Sequence, residues 1–136
     1  MEKMSLELFI PGPLPGLNEI IDACKRVVVR GGRQIPSYAL MKGEWEGVVL
    51  AAAKASGVAV FGYSRVFFRF RWLEKDKRRD PDNIAAGGRK IILDGLVKGG
   101  FIKNDGWQTV MGWEDRWEVF PKRPGVHVKI EIVGGG

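Results

Sequence analysis

Two carboxylates flank a proline in Asp80-Pro81-Asp82-Asn83, and their types and spacing suit metal chemistry. Pro81 disfavours the α conformation at Asp80 and pushes it towards an extended one. Residues two apart in an extended segment point to the same side, with Cα atoms roughly 6.5 Å apart. Carboxylates so placed can share one hard cation, or bracket a pair of them held about 3.5–4 Å apart. No histidine or cysteine lies nearby, so an all-oxygen shell would select Mg²⁺ or Mn²⁺ over zinc. The same tetrapeptide also reads as a helix-start turn, because Asp and Asn side chains satisfy the free N–H groups there. Asn83 suits that capping role in either case, which leaves both aspartates free.

The surroundings add weight. Lys75-Asp76-Lys77-Arg78-Arg79 directly precedes the aspartates, and positive charge beside carboxylates suits a site that holds phosphate and metal together. The whole chain carries 22 Lys and Arg against 16 Asp and Glu, a net +6, which attracts polyanions as well as aiding solubility. Downstream stand Arg89, Lys90, Asp94 and Leu96, then Gly99-Gly100-Phe101 and Asn104-Asp105-Gly106. Lys90 and Asp94 are at the spacing of an ordinary helical ion pair. Asp105 is either a turn residue or, folded back towards the helix start, a third carboxylate beside the first two.

These residues need elements to position them. Ser5–Ile10 alternates as a strand does, and the proline-rich stretch 11–16 makes a stiff loop. A short helix is expected over Asn18–Arg26 and a short strand over Val27–Arg30, entering a Gly31-Gly32 turn. Ser37–Ser56 has helical spacing, with Gly57 as its stop. Val58–Leu73 is the clearest strand, with Val66, Phe68, Phe70 and Trp72 towards a core and Arg69 and Arg71 outward. A helix should follow Asp80-Pro81-Asp82-Asn83 and end at Lys98, before Gly99-Gly100. Gln108–Phe120 and Val126–Val133 read as a closing antiparallel pair joined through residues 121–125. This order implies one α/β or α+β domain over residues 1–136, a mixed sheet with two to three helices packed on it.

The pattern Asp-x-Asp-Asn, Lys-x-x-x-Asp-x-Leu, Gly-Phe and a final Asp resembles the RusA-type Holliday junction resolvases. The match is good from Asp80 to Asp105. The early strand, the proline-rich loop and Asn18 also resemble that family's N-terminus, whereas the closing strands fit more loosely. The resemblance implies a RusA-like fold and a homodimer that cuts a four-way DNA junction. It further implies Mg²⁺ bound by Asp80, Asp82 and Asp105, with Lys90 as the catalytic lysine and Asp94 as part of its helix. DNA contacts would come from Asn18, Lys75, Lys77, Arg78, Arg79 and Arg89.

Two departures stand out. Asn104 replaces the first of two adjacent aspartates common in the family. Lys90 lies one helical turn further from Asp82 than in better-known members, whose lysine would fall at Ala86. Such an insertion moves the side chain roughly 6 Å along the axis but only about 40° around it. A bulge from Ile84 to Gly88, with the regular helix restarting near Arg89, would absorb it, and Arg89 is the other cation at hand.

The remaining features mostly exclude. Cys24 is the single cysteine, so no intrachain disulfide forms. No apolar run is long enough to cross a bilayer, and Met1–Ile10 lacks a signal-peptide core, so the expected setting is cytoplasmic, away from membranes. His127 has no partner for ligation in its strand. Most of the five tryptophans are expected in the core, Trp107 included, although its place beside Asp105 would also suit base stacking. No phosphate-binding glycine loop is present.

Overall fold

The aromatic alternation around Phe68 builds the centre of the sheet in a computed structural model of the chain, which describes residues 5–57 and 64–135. In chain order the elements are β1 (Ser5–Pro11), α1 (Leu17–Cys24), β2 (Val27–Arg30), β3 (Arg33–Pro36) and α2 (Ser37–Ala55). They continue with β4 (Ser64–Glu74), α3 (Pro81–Lys98), β5 (Val110–Val119) and β6 (Gly125–Gly135). Residues 58–63 of the expected long strand lie outside the described residues. The described part is an α+β fold, with a four-stranded mixed sheet, a separate β2–β3 ribbon and three helices. No described helix is long and apolar enough to cross a membrane.

Every second residue of β4 faces the helices. Val66, Phe68, Phe70 and Trp72 are buried to within 2%. The three rings stack in sequence, with centroids 5.5 and 5.3 Å apart. Ile10, Val126, Val128 and Ile130 extend this apolar face across β1 and β6, while Ile91, Ile92 and Leu96 of α3 cover it. Arg69 and Arg71 point to the other side, as alternation predicts. There they pair with Glu131 and Glu114, and with Glu118, in a charged lattice on the open face.

The closing strands depart from expectation. β5 and β6 do not pair with each other. The order is β1-β6-β4-β5, with β6 antiparallel to β1 and β4, and β5 parallel to β4 on the outer edge. Burial explains the choice. Val126, Val128 and Ile130 are fully apolar on one face and belong in the middle, whereas β5 carries Glu114, Asp115, Arg116 and Glu118 and tolerates an edge. The unit β4–α3–β5 is therefore a parallel crossover, with α3 running back from the end of β4 to the start of β5. A second unforeseen partner is β3, which pairs with β2 across the positive-φ turn Gly31-Gly32.

Helix α3 is continuous from Pro81 to Lys98, with no bulge between Ile84 and Gly88. Its glycine pair is there for packing. A Cβ at Gly87 would land on the backbone of Pro15 and Gly16, and one at Gly88 would land on the Trp72 ring. The glycines let α3 lie directly on the loop before α1 and on the central strand.

Candidate active site

Because α3 starts at Pro81, Asp80 is its N-cap residue and Asp82 sits in its first turn. Asp80 is extended, as Pro81 demands, with φ −73° and ψ 149°. Asp82 is helical, so the two do not form the extended pair expected from the sequence. Neither carboxylate caps the helix or joins an ion pair among the described residues, and both are exposed. Nor does Asn83 cap α3. Its Oδ1 accepts the backbone N–H of Asn18 at 2.8 Å, satisfying a free donor in the first turn of α1. Asn18, expected on the DNA surface, thus meets the Asp-Pro-Asp-Asn segment through its main chain.

The basic stretch divides by role. Lys75 and Lys77 are exposed and without acidic partners among the described residues. Arg78 is 84% exposed and lies 3.6 Å from Asp76. Arg79 is a strut. Its guanidinium grips both Glu74 oxygens, each at 2.9 Å, and bonds Glu19 at 2.9 Å and the Leu14 carbonyl at 2.8 Å. Burial would lower its pKa, but the bonds and charges of Glu74 and Glu19 hold it above the ordinary arginine value. It braces the end of β4 against α1 and is not a free phosphate donor. A groove of about 250 Å³ opens here, lined by Asp80, Ile84, Trp117 and Val119 among others.

Two cations follow along α3. Asp82, Ala86 and Lys90 are all exposed and fall at successive turns of one face. Over eight residues Lys90 stands roughly 12 Å further along the axis than Asp82. Its ammonium is 3.4 Å from Asp94, which Lys42 also holds at 3.1 Å. The bond to Asp94 raises the Lys42 pKa, against a smaller lowering by burial. Lys90 can therefore swing away and leave Asp94 still neutralised. Arg89 cannot do the same. It is paired with Asp115, lies over the Trp113 and Phe70 rings at 4.5 and 5.4 Å, and keeps only 14% of its side chain exposed. Asp115 also accepts the Trp72 indole N–H at 2.9 Å. Arg89 is thus held against β5, whereas Lys90 keeps most of its side chain exposed.

Asp105 does not fold back towards the helix start. The parallel crossover puts it at the opposite end of α3, beside the beginning of β5, roughly 27 Å away by helix length. It is exposed, has no partner among the described residues, and lines a separate groove of about 500 Å³ with Arg65, Trp107 and Trp113. Accordingly, no cluster of three metal-ligating side chains exists among the described residues of one chain. Trp107 is 96% exposed, and Trp113 and Trp117 are 46% and 40% exposed, contrary to the expected core placement. Only Trp72 of the five is fully buried. Edge position on β5 explains Trp113 and Trp117, and pairing β5 with β6 by sequence had hidden it. Asp115 was likewise missed, since it reads as one more surface carboxylate.

A scan against models of known protein families finds no match, and no curated protein matches the chain.

Proposed function

We propose that this chain is a Mg²⁺-dependent, structure-specific DNA endonuclease of the RusA type, which resolves four-way junctions by paired phosphodiester hydrolysis. One observation carries the reading. Asp80 and Asp82 are exposed at the start of α3 and have no ion-pair partner among the described residues, while most carboxylates around them are tied into ion pairs. Capping does not account for them, and Lys75, Lys77 and Arg78 stand next to them.

An oxygen-only donor set of this kind fits Mg²⁺ or Mn²⁺. Asp80 and Asp82 would hold the ion from one chain, and the ion would lower the pKa of a water and offset charge on the scissile phosphate. Because α3 separates Asp105 from them within a chain, a three-aspartate site requires Asp105 from a second copy. A homodimer with two such sites also matches the two cuts needed across a junction. Lys75, Lys77 and Arg78 would hold the DNA backbone, with salt-dependent and sequence-tolerant affinity. Lys90, released from Asp94, would donate to the phosphate or the leaving oxygen as charge develops. The setting proposed is the cytoplasm.

The test compares a four-way junction, a fork and linear duplex, each with and without Mg²⁺. Paired symmetric nicks in the junction alone support the proposal. Asp82→Asn should abolish cutting and keep binding, and persistent cutting by that variant would show the site to be misassigned. A second reading is a DNA-binding protein whose metal site is degenerate. The distance from Asp82 to Lys90 along a continuous helix favours it, and binding without cleavage in the same assay would establish it.

A further inference from the structure

The β2–β3 ribbon stands apart from the main sheet and takes no part in the acidic motif. Its strands pair across Gly31 and Gly32, whose φ values of 56° and 76° are both positive. Glycine at both places lets the turn follow the twist of its strands, so the hairpin is short and stiff. At its base the Ser37 N–H donates to the Arg26 carbonyl at 3.0 Å. Within the ribbon only Val28 and Ile35 are partly covered, and a Cβ added at either turn glycine would meet nothing.

The tip of this ribbon holds a conflict of charge. Arg30 and Arg33 are direct partners in the ladder, so their side chains share one face. Like charges set opposite each other weaken a strand pair. Neither arginine has an acidic partner among the described residues. The sequence offers none nearby, since Lys25, Arg26, Arg30, Arg33 and Lys42 lie between Asp22 and Glu44 with no acid among them. Arg26 is answered by Asp22 and Lys42 by Asp94, but the tip is not answered. Keeping the tip in water would be served equally well by a cation facing an anion.

We propose that the ribbon is a DNA-holding arm, in which Arg30 and Arg33 together grip one phosphate of a duplex backbone. Facing residues have Cα atoms about 5 Å apart, so both guanidiniums reach a single phosphate group. Each presents N–H donors in a planar fork that matches phosphate oxygens. An anion between them turns mutual repulsion into attraction on both sides. The stiff turn holds the two side chains together beforehand, which lowers the ordering cost of binding. Helix α1 sets where on the DNA this grip falls. Asn18 at its start meets Asn83 of the acidic motif, and the ribbon follows its other end. Its eight residues span about 12 Å, so the arm and the acidic motif meet different nucleotides.

The need for an anion comes from the ribbon itself, while the choice of DNA as its source rests on the nuclease reading. Fluorescence anisotropy of a labelled linear duplex, over a range of salt concentrations, reads the arm directly. Arg30→Gln/Arg33→Gln removes both charges and keeps much of each side chain's length. It should weaken binding by about tenfold or more. It should also make the slope of log affinity against log salt shallower by about 1, for the one phosphate lost. Arg30→Lys/Arg33→Lys keeps the charges without the forks, so it should keep the slope and lose part of the affinity. The glutamine variant should melt no lower than the wild type, because the pair it removes is repulsive. A glutamine variant with wild-type affinity and slope overturns the arm, whether or not the chain cuts junctions. One that melts well below the wild type would place the arginines in the fold and overturn the arm as well. Loss of affinity in a chain that never cuts overturns the nuclease reading and leaves the arm. A wild-type chain that binds no duplex overturns both.

Discussion

At the scale of residues, the difference between free and committed charge separates the cations that a motif treats alike. Arg79 and Arg89 are each engaged by partly buried carboxylates, where removing one partner strands the other charge at a cost of about 3–5 kcal/mol. Lys90 shares Asp94 with Lys42 and is 58% exposed, so its pair contributes no more than about 1 kcal/mol. Only the second kind of cation can move to a substrate. Lys90→Ala should therefore slow junction cleavage by about 100-fold with little change in melting temperature. Adding Ala86→Lys, which puts an ammonium one turn nearer Asp82 on the same exposed face, should recover part of the loss. Single-turnover rates would read both, and an unchanged rate for Lys90→Ala would remove the lysine from the mechanism.

At the scale of elements, α3 positions Asp80, Asp82 and Lys90, and its glycines set how closely it packs. Its first turn presents Asp80 and Asp82, favourably placed at the positive end of the helix dipole. Gly87 touches the main chain of Pro15 and Gly16, and backbone cannot swing aside as a side chain can. Gly87→Ala should cost about 1–3 kcal/mol in denaturant unfolding, despite the better helix propensity of alanine. It should also loosen the Asn83–Asn18 contact that ties α1 to the motif. An alanine variant as stable as the wild type would mean that α3 sits less closely than described. The helix was legible from its glycine stop, although it starts at Pro81, inside the segment it was expected to follow. Its continuity through Gly87-Gly88 was not, because a glycine pair reads equally as a bulge or as a close approach until the neighbour is known.

At the scale of the whole molecule, the parallel crossover keeps the three aspartates of the proposed metal site apart within one chain. Asp80 and Asp82 lie at one end of α3 and Asp105 at the other. Binding of Mg²⁺ by the native assembly should raise the melting temperature, by about 4 °C when the ion is at ten times its dissociation constant. The Asp80→Asn/Asp82→Asn variant should lose that shift in differential scanning calorimetry. An equal shift in the variant would place the ion elsewhere. In the proposed nuclease the net +6 charge would meet DNA through exposed groups such as Lys75, Lys77 and Arg78.

Local chemistry alone determined the chain's strongest elements. Alternation in β4 predicted its buried and charged faces, helical spacing predicted α2, and Gly99-Gly100 marked the end of α3. The Asp-Pro-Asp-Asn motif was visible for the same reason, since its residues are neighbours. Tertiary structure decided what depends on partners distant in sequence. It placed β6 between β1 and β4, and left β5 on the edge. That one exchange exposed Trp113 and Trp117 and carried Asp105 away from Asp80. Strand pairing is chosen by the burial of whole faces against the rest of the molecule, and alternation within a strand carries no record of which neighbour it will take.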